Sequence, residues 1–275
     1  MELNANRGFM AMNRDLAALL SRTGDVVDTG HWQSLPDVPQ TRTLELRGVT
    51  IRYPIPASQQ SLALEVDPNL PWADLHFEER VGGRPTNPGQ TYHLWPYFRG
   101  NVPKHQDPAN GDKFSHTYME RMWPRRVGLE THQRDRCGVR YRYGDLSDVV
   151  ELLHNFPYTR QAYLPIWFPE DTGAHHGERV PCTLGYHLML RDDRLHVMYP
   201  IRSCDFLRHF RDDVYLAGRL VQWIIDQLKG DHPWSSVKPG ELTMHMHSLH
   251  VFEQERTILN RMSGITDEAE FGAPV

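Results

Sequence analysis

Residues 182–203 constrain the fold more than any other segment. CTLGYHLML (182–190) and LHVMYPIRS (195–203) each have strand character, and RDDR (191–194) between them reads as a turn. A hairpin of this kind commits the chain to a sheet with at least one antiparallel pair. With the turn centred between Asp192 and Asp193 and the register kept, Cys182 lies opposite about Ser203. Arg202, Ser203 and Asp205 then gather beside the thiol. A guanidinium close to a cysteine favours the thiolate, which is the attacking species. Cys182 also fits a small buried strand residue, and the pattern leaves both readings open.

The rest of the chain supplies helices and further strands. Residues 9–21 and 72–81 have helical spacing, the second stopped by Gly82 and Gly83. Residues 41–56 alternate as a strand or a hairpin, and 84–113, rich in Pro, Gly and Asn, read as a long loop. DLSDVVELLHN (145–155) and VYLAGRLVQWIIDQLK (214–229) are amphipathic helices, and 241–255 reads as a strand running into a helix. Neither a repeat nor a dividing linker is visible, so one domain over 1–275 of α/β (α+β) class is expected, a large mixed sheet with covering helices.

At 275 residues, 39% hydrophobic and 24% charged, the chain is long enough to bury a large core. A net charge of -5 argues against a general nucleic-acid coat, and no apolar run is long enough to span a membrane. The basic stretch Arg134, Arg136, Arg140 and Arg142 reads as a solvated loop. Three cysteines, Cys137, Cys182 and Cys204, do not make a disulfide framework, and no signal-peptide pattern opens the sequence, so a reducing cytoplasm is expected. Asp212–Asp213 stand where a helix cap is usual. On a strand, His245 and His247 share a face and His250 points the other way. That pair lacks a further ligand at recognisable spacing, so no metal is expected. No Walker-type or GxGxxG phosphate loop occurs.

PCTLGYHLMLRDDRLHVMYPIRSCDF (181–206) closely resembles the nucleophile hairpin of thymidylate synthases and their (deoxy)cytidylate 5-hydroxymethylase relatives. There a Pro-Cys opens one strand and Arg-Ser-x-Asp closes the next. GDLSDVVELLHNFPYTRQAYLPIW (144–167) is similar to the family's helix, Arg-containing turn and strand, SLHVFEQE (248–255) to its His-x-Tyr segment, and FSHTYMERMW (114–123) more weakly to a Tyr-containing loop. Residues 1–70 are divergent. The resemblance implies a thymidylate synthase-like fold, a homodimer, a pyrimidine nucleoside monophosphate as substrate and 5,10-methylenetetrahydrofolate as co-substrate. It implies that Cys182 adds to C6 of the pyrimidine. Arg202, Ser203 and Arg160 would hold the 5′-phosphate, Arg160 in the partner's site. Asp205 would contact the folate, His250 the sugar, and Tyr118 would sit near C5.

Departures from the family pattern bear on the substrate. Eight residues after Asp205 the synthases carry an Asn that reads uracil, whereas this chain has Asp213, as the cytidylate hydroxymethylases do. A carboxyl group accepts from the cytosine amino group and, when protonated, donates to N3, so the expected reaction is C5 hydroxymethylation of CMP or dCMP. Thymidylate synthesis or cytidylate methylation is the alternative, and a catalytically silent nucleotide-binding relative the alternative of another class. Phe252 stands in place of the family's Tyr, leaving the choice between ribose and deoxyribose open. Gln161 replaces a second phosphate Arg, for which Arg125 and Arg126 are candidate substitutes. For the catalytic carboxylate Glu79 is the first choice, ahead of Asp74 and Glu78.

Overall fold

The computed structural model describes residues 1–30, 42–97, 113–124, 144–169, 171–172, 180–230 and 232–265. The basic stretch 134–142, Arg125, Arg126 and Cys137 lie outside the described residues. A seven-stranded sheet contains β1 (Glu2–Asn4), β2 (Asp25–Asp28), β3 (Arg42–Pro54), β4 (Tyr163–Pro165), β5 (Gly185–Arg191), β6 (Arg194–Asp205) and β7 (Lys238–Phe252). Its order is β1-β3-β7-β6-β5-β4, with β2 pairing β3 off this path. β3 and β7 are antiparallel, β6 and β7 parallel, β5 and β6 antiparallel. The expected α/β (α+β) class with a large mixed sheet is the class found. The helices are α1 (Phe9–Thr23), α2 (Gln59–Val66), α3 (Trp72–Val81), α4 (Tyr118–Met122), α5 (Leu146–Asn155), α6 (Phe210–Leu228) and α7 (Arg256–Ser263). Among the described residues no helix is long and apolar enough to cross a membrane.

A parallel pair needs a crossover, and α6 supplies the one between β6 and β7. Its apolar stripe, Val214, Ala217, Leu220, Val221 and Ile224, is buried together with Leu195, Val197, Tyr199 and Ile201 of β6 and Leu242, Met244 and Met246 of β7. The helix starts four residues earlier than its periodicity suggests, because Phe210 is itself a core residue stacked on Phe9 and Phe206. Among the described residues of the divergent first seventy, β3 pairs along its length with β7, and Phe9 packs edge-on against Tyr53.

The 192–193 turn forms as expected. Asp192 and Asp193 have φ of 51° and 54°, the left-handed pair that a two-residue hairpin turn requires. The far end of the hairpin does not keep the turn's register. Arg191 faces Arg194, but Thr183 bridges Ile201, a shift of one residue. Cys182 therefore faces Arg202, whose N–H donates to the Cys182 carbonyl at 2.9 Å, and not Ser203.

A second irregularity crosses three strands side by side. Inward residues run 53, 51, 49 and then 46, 44 on β3; 195 to 201 and then 204 on β6; 242 to 246 and then 249, 251 on β7. The pairing steps over His247, from Met246 to Ser248, against both neighbours. Gly48 at this point has φ 64°, which glycine adopts without a Cβ clash. The slip turns His250 back to the face that carries the exposed His245 and His247, which corrects the expectation that it points the other way.

Candidate active site

Three elements converge on the segment Pro181–Thr183. From β6, Arg202 donates through Nε to the Pro181 carbonyl at 2.9 Å and through Nη2 to the Val180 carbonyl at 3.2 Å, which ties down the chain just ahead of the thiol. From α4, the Tyr118 hydroxyl lies 3.1 Å from Thr183 Oγ1. Thr183 Oγ1 lies in turn 2.9 Å from the Tyr199 hydroxyl, and the charge of Asp213, in the first turn of α6, acts on Tyr199. Phenol, hydroxyl and phenol thus form one chain beginning beside Cys182, with the Asp213 carboxyl near its far end. Tyr186 stacks on Tyr199 at 4.7 Å and closes one wall. Two features fix α4: a capping box between Thr117 and Glu120, and a buried bidentate pair of Arg121 with Asp171 at 2.8 and 3.0 Å.

The two described cysteines have divided roles. Cys204 is buried, and burial first, then the charge of Asp213, raise its thiol well above the usual range. Its Sγ lies 3.9 Å from Asp213 Oδ2. Cys182 is partly exposed at the margin of the core, where a reagent can reach it. Burial pushes the Tyr118 phenol up, and Cys182 adds to this, so Tyr118 keeps its proton at neutral pH and serves as a donor or relay.

Neither Asp212 nor Asp213 caps α6; His209 occupies the cap position. Asp212 is buried and accepts from Asn69 N at 2.8 Å and Asn69 Nδ2 at 2.7 Å, tying α6 to the approach of α3. Asp213 turns to the hydroxyl chain. Burial pushes its carboxyl up to about 7; Arg80, Tyr199 and Cys204 oppose the rise and Asp212 adds to it. Below the ordinary carboxyl range the folded and unfolded chains are both protonated, and the site costs nothing. Between that range and about pH 7 only the unfolded chain ionises, so stability falls as pH rises and then levels off. Asp213→Asn should therefore gain stability relative to the parent between pH 4 and 7. Paired thermal melts across that range check this, and a pH-independent difference would refute it.

The remaining expected site residues are more dispersed. Asp205 accepts from the N–H groups of Leu207 and Arg208 at 3.1 and 3.0 Å and pairs with the Arg208 guanidinium at 2.9 Å, which Glu255 also holds. His250 lies between Asp205 and Glu45 across the sheet, and burial pushes its imidazole down, against the pull of both carboxylates. Ser203 faces Ser248. Phe252 is buried with the Arg208 guanidinium carbon 4.9 Å from its ring centre, so the ring braces that arginine. Arg160 and Gln161 are exposed beside β4, at the sheet edge.

Glu79 faces a recess that Tyr118 also lines, together with His76, Tyr92, Phe114 and His116. Its oxygens accept from Thr91 N at 3.1 Å, from Gln90 N and from the Thr91 hydroxyl, so it holds the loop after α3. Burial raises its carboxyl, but His76, Thr91 and Gln90 outweigh that and leave it below the usual value. Asp74 and Glu78 pair with Arg219 at 2.6 and 3.2 Å and belong to the packing of α3 on α6. Sequence reasoning missed Arg80, Thr183, Tyr186 and Tyr199. The two tyrosines alternate inward on strands and were open to that reading; Arg80 sits in a charged helix and gave no signal.

Fold and site together define a chain that is thymidylate synthase-like: a large mixed sheet with a Pro-Cys segment facing Arg-Ser-x-Asp on the next strand. Curated proteins similar to it include one from Methanococcoides burtonii, 25% identical over 149 residues, which are 53% of this chain and 57% of that protein. Another, from Methanosarcina barkeri, is 27% identical over 108 residues, 39% of this chain and 45% of that protein. Both are named "Putative thymidylate synthase". The chain is matched over about half the length of these relatives, and no family model matches it.

Proposed function

We propose that the protein is a cytidylate 5-hydroxymethyltransferase, moving a one-carbon unit from 5,10-methylenetetrahydrofolate to C5 of CMP or dCMP. The observation that carries this reading is the hydroxyl chain running from Tyr118, beside the Cys182 segment, through Thr183 to Tyr199, with Asp213, a carboxyl pushed up to about 7, near its end. C5 of a pyrimidine is a poor nucleophile; addition of the Cys182 thiolate at C6 makes it an enamine carbon. Asp213 with its proton donates to N3 and accepts from the 4-amino group of cytosine. Tyr118, protonated, sits at the head of a chain along which a proton from C5 has a path. With that proton lost, tetrahydrofolate would leave from the new carbon, water would add there, and elimination of Cys182 would release the product.

The folate, when bound, supplies the one-carbon unit. The surroundings of Asp205 fit a flat heterocycle: Trp95 stacks on His209 at 4.7 Å, Tyr97 bonds to the Leu207 carbonyl, and the Trp95 indole N–H is buried without an acceptor among the described residues. In this reading Arg202, Ser203 and His250 hold the nucleotide. Arg160, exposed at the sheet edge, would complete the phosphate clamp in the partner's site of a homodimer formed through the sheet face with Met198, His245 and His247. Cys182 requires a reducing compartment such as the cytoplasm, and neither nucleic acid nor membrane is a partner.

The test is to incubate the protein with methylenetetrahydrofolate and each of CMP, dCMP and dUMP, and to weigh the products. Gain of CH2O on a cytidylate is expected. Gain of CH2 on dUMP alone would overturn the proposal in favour of thymidylate synthesis.

A further inference from the structure

Tyr118 is held at two places, on one face of its ring and at its hydroxyl. The Arg80 guanidinium carbon lies 4.0 Å from the ring centre, a cation–π contact, and the hydroxyl lies 3.1 Å from Thr183 Oγ1. The ring is half-buried and lines the recess that His76 and Glu79 share. Arg80 is itself only 5% exposed and is fixed from two further sides. The Trp123 indole donates to the Arg80 carbonyl at 2.8 Å, and Arg80 Nε donates to His76 Nε2 at 3.0 Å. The second bond requires that Nε2 carry no proton, so the imidazole is neutral with its proton on Nδ1, 3.8 Å from Glu79 Oε2. Trp72 stacks on the same imidazole at 4.9 Å. Glu79, His76 and Arg80 thus form a row along α3 that ends on the face of the Tyr118 ring.

We propose that Arg80 is a positioning residue for Tyr118: it seats the ring by its face, keeps the phenol oxygen at Thr183 beside the nucleophile, and supports the negative charge that gathers on that oxygen as a proton moves at C5. This rests on the reading of Tyr118 as the phenol near C5. The groups facing the phenol are Arg80 from α3, Cys182 and Thr183 from the segment ahead of β5, Asp213 from α6 and His116 just ahead of α4. Of these, Arg80 brings the permanent positive charge. Its charge opposes the rise that burial imposes on the phenol, as a cation against the ring must. Glu79 then has an indirect part, in orienting the imidazole that holds the guanidinium.

The experiment replaces Tyr118 by 3,5-difluorotyrosine in the full chain, which brings the phenol into an accessible pH range and lets 19F NMR follow its titration. Arg80→Met keeps the length of the side chain and removes its charge; Arg80→Lys keeps the charge. The midpoint of residue 118 should rise by about one pH unit or more with Arg80→Met and by less with Arg80→Lys. With the natural tyrosine, kcat for tritium release from C5-labelled cytidylate should fall about tenfold or more in Arg80→Met, KM should stay within about twofold, and Arg80→Lys should recover most of the rate. His76→Phe keeps an aromatic ring on Trp72 but frees the guanidinium, and should move the midpoint the same way by less; it serves if Arg80→Met does not fold. A midpoint unmoved in the folded variant overturns the proposal. A midpoint that moves while tritium release does not, or in a protein that releases none, upholds the action of Arg80 on Tyr118 and faults the reading on which it rests.

Discussion

Cys182→Ser should abolish tritium release from C5-labelled cytidylate, a loss on the order of 10⁴-fold or more. The size follows from the chemistry. Without a sulfur adduct at C6, C5 is too poor a nucleophile to attack, and a serine hydroxyl is far less acidic than a thiol and stays protonated at neutral pH. Cys204 cannot substitute, being buried with a thiol held far above its usual range. Nucleotide binding should survive, because Arg202 is bonded to the Pro181 and Val180 carbonyls and not to the thiol. A variant that binds cytidylate as the parent does yet releases no tritium is the expected pairing. Release at the parental rate would remove Cys182 from the chemistry.

Asp213→Asn should exchange base preference, shifting the ratio of kcat/KM for cytosine over uracil nucleotides by about 10³-fold or more. Cys204 approaches this side chain as a donor, and Tyr199 lies within its electrostatic reach. The thiol takes the amide oxygen and turns the amide N–H groups toward the base, where these meet the C4 carbonyl of uracil and oppose the amino group of cytosine. The parent should lose cytidylate activity as pH rises through about 7, where Asp213 gives up its proton, and the variant should not. Kinetics with both nucleotides from pH 6 to 9 read both effects. An unchanged preference would take Asp213 out of base recognition.

Much of this was legible in the residues, and what was not has identifiable causes. The hairpin turn could be read because two aspartates tolerate the left-handed conformation and the flanking strands have a clear alternation. The register at Cys182 could not be read from it, because the shift between the turn and Thr183–Ile201 follows from pairing at the far end. The face of His250 was misread for a related reason: the slip at Gly48, Arg202–Ser203 and His247 is made jointly by three strands, and period-2 counting along one strand cannot detect it. Asp212 and Asp213 looked like a cap, yet the core residue Phe210 draws the helix start upstream and sends one carboxylate to Asn69 and the other to the site. The helix WADLHFEERV carries four charges that sequence alone reads as solvated. Its packing on α6 distributes them: Asp74 and Glu78 go to Arg219, Glu79 to the following loop, and Arg80 into the core.

The covalent adduct on Cys182 can be trapped. Cytidylate with fluorine at C5 cannot lose that substituent as a proton is lost, so addition of sulfur at C6 followed by one-carbon transfer leaves the adduct stranded. The protein should be incubated with 5-fluorocytidylate, as ribo- and deoxyribonucleotide, and methylenetetrahydrofolate, then digested and its peptides weighed. Nucleotide and folate together are expected on the peptide containing Cys182 and on no other. An unmodified Cys182 peptide under conditions of demonstrated nucleotide binding would contradict the covalent mechanism.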